Sequence, residues 1–214
     1  DLLLAEPGLL HVRLLTKPDS SSNWRSFRGA RQPPSVRHAM FLNAHNKQTA
    51  SEITVELRQI GVPSALIVDI DWIKEDGQVC NKYLNAAGVP EGLRQGLRNM
   101  RQTVRAYLSE ADPDYKRKGG IFLLHGEQLA TAIAFFDQME MYGLFTVRSG
   151  ELESWLANIN CSRNKSVWLS EVFSALGSDP SLSGYVRPSE DDVWKFLRDI
   201  AVWVSNPNRL GMKI

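Results

Sequence analysis

Asp69 and Asp71 close the run Ala65-Leu66-Ile67-Val68-Asp69-Ile70-Asp71, and carboxylates at this spacing can share a cation. Four apolar residues, two of them β-branched, predict a strand buried on both faces, with the acids where the strand runs out. Alternation along such a strand puts Asp69 and Asp71 on one side and turns Ile70 to the other. Half-buried carboxylates repel each other, and a divalent cation between them relieves the repulsion. Oxygen ligands with no His or Cys beside them suit Mg2+ or Mn2+ better than zinc. The same residues also suit a plain strand end followed by a helix N-cap, with no metal chemistry at all.

A second group of acids follows a second apolar run. Leu144-Phe-Thr-Val147 predicts another buried strand, and it delivers Arg148-Ser149-Gly150-Glu151-Leu152-Glu153. Ser149 and Glu151 stand at this strand end as Asp69 and Asp71 stand at theirs. A two-ion site, with ions about 4 Å apart, needs such a further acid. The competing reading makes Glu151 and Glu153 first-turn acids of a helix begun by Leu152, Trp155 and Leu156, where they complement the helix dipole.

The elements that must position these acids alternate in type. Residues 9–15 read as a strand, 17–23 as a polar turn and 24–30 as a short helix stopped by Pro33-Pro34. A short strand over 39–42 ends in the polar loop Asn43-Ala-His-Asn-Lys47. Thr49-Ala-Ser-Glu52 then offers a capping box for a helix that Gly61 stops. Strand, helix and strand in that order make a βαβ unit with parallel strands. Working groups in such sheets collect at the carboxyl ends of the strands, which puts Lys47 on the rim of Asp69 and Asp71 as a phosphate-binding candidate; alone, it reads as a solvated loop lysine.

Beyond the Asp76-Gly77 turn, helices are predicted over 79–87 and 91–108. The second carries Arg94, Arg98, Arg101 and Arg105 on one stripe, which suits either a nucleic-acid backbone or a solvated face. Residues 112–118 read as a charged loop. Leu129, Ile133, Phe136 and Met139 recur at helical spacing over 126–141 and form core. Helices over 167–176 and after the cap at residues 189–192 complete the chain, with Lys165 just before the first of them.

Composition sets limits on this scheme. A chain of 214 residues, 43% of them hydrophobic, can bury a sizeable core. Its longest apolar run, 121–124, is too short to cross a bilayer, and no signal pattern is present, so a cytoplasmic protein without a membrane partner is expected. Cys80 and Cys161 form no motif and are expected as reduced thiols. The net charge of +1 excludes a strongly basic nucleic-acid binder while permitting a local patch. The chain begins at Asp1 without Met, which suggests a piece of something longer.

Taken together, Asn43-Ala-His-Asn-Lys47-Gln-Thr, Gly61-Val-Pro with Val68-Asp-Ile-Asp71, and Val147-Arg-Ser-Gly-Glu-Leu-Glu-Ser-Trp155 resemble the Toprim domain of OLD-family (overcoming lysogenization defect) nucleases. The resemblance runs from about Ser35 to the C-terminus. It implies an α/β, Rossmann-like, mostly parallel sheet flanked by helices: a catalytic core over 35–160 with a helical insertion at about 78–118, and a C-terminal helical extension over 161–214. Residues 1–30 would be the tail of an ABC-type ATPase domain or a linker.

The family pattern further implies Asp69, Asp71 and Glu151 as metal ligands with Ser149 beside them. Two Mg2+ or Mn2+ ions would activate a water and stabilise the departing 3′ oxygen, and Lys47 or Lys165 would act on the phosphate. The partners implied are DNA, held along Arg94 to Arg105, and an ATPase domain through which the protein forms a homo-oligomer. The activity implied is DNA cleavage in antiviral defence or repair. The family's earlier Glu-Gly strand is not intact here: Leu2-Leu-Leu-Ala-Glu6-Pro-Gly8 lacks the order, and Leu14-Leu-Thr-Lys17-Pro-Asp19 puts a lysine in the acid's place. A degenerate Toprim scaffold that binds partners is therefore the alternative. A topoisomerase would need a nucleophilic tyrosine at the rim, and neither Tyr107 nor Tyr142 is placed there by sequence.

Overall fold

A computed structural model describes residues 10–14, 39–43, 47–177, 179–190 and 192–212. Strands β1 (Leu10–Leu14) and β2 (Ala39–Asn43), helix α1 (Lys47–Gln59) and strand β3 (Ser64–Asp69) come first. Helices α2 (Gly77–Ala86), α3 (Glu91–Ala111), α4 (Tyr115–Lys118) and α5 (Gly126–Met141) lead to strand β4 (Leu144–Val147), and α6 (Lys165–Leu176) and α7 (Asp192–Ser205) follow. The predicted turn at 17–23 and helix at 24–30 lie outside the described residues, as do both candidate Glu-Gly segments apart from the strand residue Leu14.

The fold is mixed α/β, and its sheet is less parallel than expected. Strand order is β2-β1-β3-β4; β1 pairs antiparallel with both β2 and β3, and only β3 and β4 pair in parallel. The β2-α1-β3 unit keeps its two strands in the same direction, but β1 is inserted between them. A strand donated from ahead of the unit can fill that place because each strand of a pair leaves one row of backbone groups open.

β3 is buried on both faces, as its composition demands. Leu66 and Val68 face a large core with Trp72, from the turn after β3, and with Tyr83, Leu84, Val104, Leu108, Phe135 and Phe136, which α2, α3 and α5 supply. Ala65 and Ile67 face the other way, against Phe145 and against Ile200, Trp203 and Val204 of α7. Val147 carries a third cluster with Trp155, Leu156, Trp168 and Val172. The C-terminal segment thus covers one face of the sheet, and burying Ile200, Trp203 and Val204 there removes apolar surface worth roughly 1.5–3 kcal/mol per large side chain.

Several local expectations change. α1 begins at Lys47, so Thr49 and Glu52 are inside the helix and make no capping box. Ile133 is 38% exposed, while Ala132 and Phe135 take the inward positions of α5. The predicted helix at Leu152 is only a 3₁₀ turn, Leu152–Ser154, after which Leu156 adopts a positive φ of 53° that an α-helix cannot continue through.

Arg58 fastens the end of the sheet remote from Asp69. It is 2% exposed, donates from Nε (2.9 Å) and Nη2 (2.7 Å) to the Ser64 carbonyl, and from Nη1 to the carbonyls of Tyr142 (3.1 Å) and Gly211 (2.8 Å). Burial, with the charge of Arg209, pushes its pKa down to about 9, and the Trp203 ring lies 5.0 Å away. Arg58→Met leaves these carbonyls without their donors, and urea denaturation should show a loss of about 3 kcal/mol or more.

Candidate metal and phosphate site

The site begins at the end of β3. The parallel register pairs Asp69 with Val147, so β3 and β4 end at one edge, and their following segments leave from the same rim. The strand stops at Asp69, however, and Asp71 lies in a 3₁₀ turn, Ile70–Lys74. Strand alternation therefore does not place the second carboxylate. Burial of the turn's apolar residues does: Ile70, Trp72 and Ile73 are fully inside, which turns Asp71 outward. Trp72 fixes the turn, because its indole N–H donates to Thr146 Oγ1 at 2.8 Å and its ring stacks on Phe135 at 5.7 Å.

Both carboxylates converge on a side chain of the stretch 112–118, which the sequence predicts as a charged loop. Lys116, in the single helical turn α4, puts its Nζ 2.7 Å from Asp71 Oδ2 and 3.2 Å from Asp69 Oδ2. Lys74 adds an ammonium 3.0 Å from Asp71 Oδ1. Burial raises the Asp71 pKa, but hydrogen bonds from Lys116 and Lys74 outweigh it and hold the carboxyl below the usual range. Burial likewise lowers that of Lys116, and the two aspartates more than reverse the effect, so its ammonium titrates above an ordinary lysine.

Glycines permit this approach. At Gly150, φ is +106° and a Cβ would lie 1.9 Å from the Lys116 carbonyl oxygen; at Gly120, φ is +58° and a Cβ would lie 2.0 Å from that of Arg148. The α4 turn is thus pressed against the turn that leaves β4, and no larger residue fits either seam.

Glu151 leaves the same rim with its side chain 15% exposed, and Arg117 Nε, next to Lys116 in sequence, lies 4.0 Å from its Oε1. Ser149 accepts a hydrogen bond from the Ser154 hydroxyl at 2.7 Å. Among the described residues, no group of three or more His, Cys, Asp and Glu is placed to hold a metal ion. The chemistry of the donor set fits one cation at the aspartates, because two carboxylate oxygens already share a single positively charged atom.

Lys47 and Lys165 are the first residues of α1 and α6. Lys47 follows β2, which points the same way as β3 but lies two strand spacings from it, about 10 Å. The arginine stripe is engaged within the molecule. Arg101 is 3% exposed and bonds the Ile73 carbonyl and Asp76; Arg105 also reaches Asp76, at 2.7 Å. Arg98 donates to Asn81 at 2.6 Å, and Arg94 to the Val89 carbonyl at 2.9 Å. As a correction to the continuous basic face, Arg101 is withdrawn from it, because its guanidinium is buried against the Ile73 carbonyl and Asp76. Tyr142 caps the end of α5 that leads into β4, at the edge opposite Asp69, so it is no rim nucleophile.

The chain matches no protein-family model, no curated protein and no solved structure. Cys80 and Cys161 are both free thiols. Among the described residues, no helix is long and apolar enough to cross a membrane.

Asp71 titrates lower in the fold than in the unfolded chain, so its contribution to stability is complete above the ordinary carboxylate range and is lost as pH falls through the folded value. Lys116 titrates higher, so its contribution is complete below the ordinary lysine range and is lost as pH climbs through the folded value. Lys116→Met should therefore flatten both limbs of a plot of unfolding free energy against pH. Gly150→Ala, forced against the Lys116 carbonyl, should cost about 2 kcal/mol or more by thermal denaturation.

Proposed function

We propose that this chain is a metal-dependent DNA nuclease of Toprim type, hydrolysing phosphodiesters as the nuclease part of an OLD-family ATPase–nuclease in antiviral defence or DNA repair. The observation that carries the reading is the convergence of Asp69 Oδ2 and Asp71 Oδ2 within 3.2 Å of one cationic nitrogen, at the carboxyl edge of a parallel strand pair. The resemblance through Gly-Glu-Leu-Glu-Ser-Trp at residues 150–155 supports it from sequence.

Asp69 and Asp71 would hold Mg2+ or Mn2+, whose chemistry is to acidify a bound water and to polarise a phosphoryl oxygen. Glu151, delivered after β4, would be the acid for a second ion. Trp72 and the Gly150 seam keep the acid-bearing turns in place, which is the preorganisation that a charged transition state requires. Lys116, Lys47 or Lys165 would neutralise charge gathering on the phosphate. Lys74, Arg117 and Lys118 present their cations at or near this rim, with side-chain exposures of 45%, 71% and 57%, and suit contacts to successive backbone phosphates. Cleavage without base contacts would show little sequence preference and a steep fall with salt.

Incubation of supercoiled plasmid with the protein and Mn2+ tests the proposal. Nicking is expected, with a loss of about 100-fold or more in Asp71→Ala, the scale for removing a group that holds transition-state charge. No nicking by the chain joined to its ATPase partner would favour the partner-binding scaffold instead.

A further inference from the structure

We infer that Lys116 is a built-in occupant of the cation position, so that a divalent ion binds Asp69 and Asp71 only by exchanging with its ammonium. This rests on the metal-binding reading above and concerns how that site is filled. The ammonium already lies between Asp71 Oδ2 and Asp69 Oδ2, at 2.7 and 3.2 Å. Magnesium takes oxygen ligands at about 2.1 Å, so an ion drawing on the same two atoms occupies nearly the same centre. Two like charges cannot share it, and one must leave.

The surroundings allow the side chain, and not the turn, to move. The Lys116 carbonyl is held beneath Gly150, where even a methyl group would collide, so the α4 backbone stays in its seam. The Lys116 side chain, 22% exposed, has a path to solvent. Lys74 remains against Asp71 Oδ1 and keeps that second oxygen neutralised while the exchange occurs.

A separate observation points to a hydrated ion. Tyr115 is fully buried, its hydroxyl has no hydrogen-bond partner among the described residues, and its ring lies 4.7 Å from the Lys74 ammonium that pairs with Asp71. Magnesium keeps several of its waters when it binds carboxylates, and such a water is a partner of the right kind for this phenol.

The exchange makes the ion and the ammonium competitors, and competition of this sort is reciprocal. Together with Lys74, the Lys116 ammonium balances the two carboxylates when no ion is bound.

Calorimetric titration of the 214-residue chain with Mn2+ tests the exchange. Wild type should bind, Asp71→Asn should lose binding, and Lys116→Met should bind about tenfold tighter, the scale of coupling between competing ligands. Wild type that binds, with Lys116→Met equal or weaker, overturns the exchange and leaves the metal site standing. Absence of binding in both overturns the metal site and the exchange with it. A measurement on unaltered protein covers the case in which Lys116→Met fails to fold: reductive methylation of Lys116, followed by mass spectrometry, should speed up several-fold on adding Mn2+ and stay constant in Asp71→Asn. A rate unmoved by Mn2+ in wild type that binds the ion overturns the exchange.

Discussion

Two carboxylates, one ending β3 and one in the turn that follows, repel each other, and much of the site is arranged around keeping them together. Lys116 supplies the opposing charge from a distant part of the chain, at 2.7 and 3.2 Å. The approach is possible only because a four-residue helical turn, Tyr115–Lys118, is wedged against the segment leaving β4 through glycine contacts. The aspartate turn itself is held from below by Trp72, whose indole bonds Thr146 in the neighbouring strand. Strand, turn and helix therefore share one electrostatic junction, and the large buried core beneath it gives that junction a rigid floor.

Charge is handled differently at the two edges of the sheet. At the edge of Asp69, the acids and their ammonium groups remain partly open to solvent, where a cation, a phosphate or both can reach them. At the opposite edge, Arg58 is sealed inside and spends its donors on backbone carbonyls of β3, α5 and the C-terminal turn. A buried guanidinium that satisfies several carbonyls holds elements in place but offers nothing to a ligand. Arg101 on α3 is buried as well, and it divides its guanidinium between the Ile73 carbonyl and the Asp76 carboxylate. Arg58 is thus bound by backbone carbonyls inside the fold, whereas Lys116 and Lys74 face carboxylates at the rim.

The arginine stripe shows why helical spacing could not tell these roles apart. Arg94, Arg98, Arg101 and Arg105 do share one side of α3, but that side faces the aspartate turn and α2, so their partners are Val89, Asn81, Ile73 and Asp76. Periodicity reports which residues share a face and is silent on what covers it. Conversely, Lys116 lies in a charged stretch with a proline that reads as loop, because one helical turn is too short to leave a periodic pattern. The pair Gly119-Gly120 after Lys-Arg-Lys was the available signal, since adjacent glycines mark a place where backbones pass closely.

By itself, the sequence determined the buried strands β3 and β4, the helices α2, α3 and α5 between them, and the presence of carboxylates at both strand ends. Those features follow from local composition and from the two periods of side-chain direction, which any window of the chain carries. Tertiary structure alone decided that β1 is inserted between β2 and β3, that Asp71 meets Asp69 through a 3₁₀ turn, and that Lys116 closes the pair. Each of these depends on contacts between residues far apart in the chain, where packing and charge neutralisation select one partner among many and no local pattern records the choice.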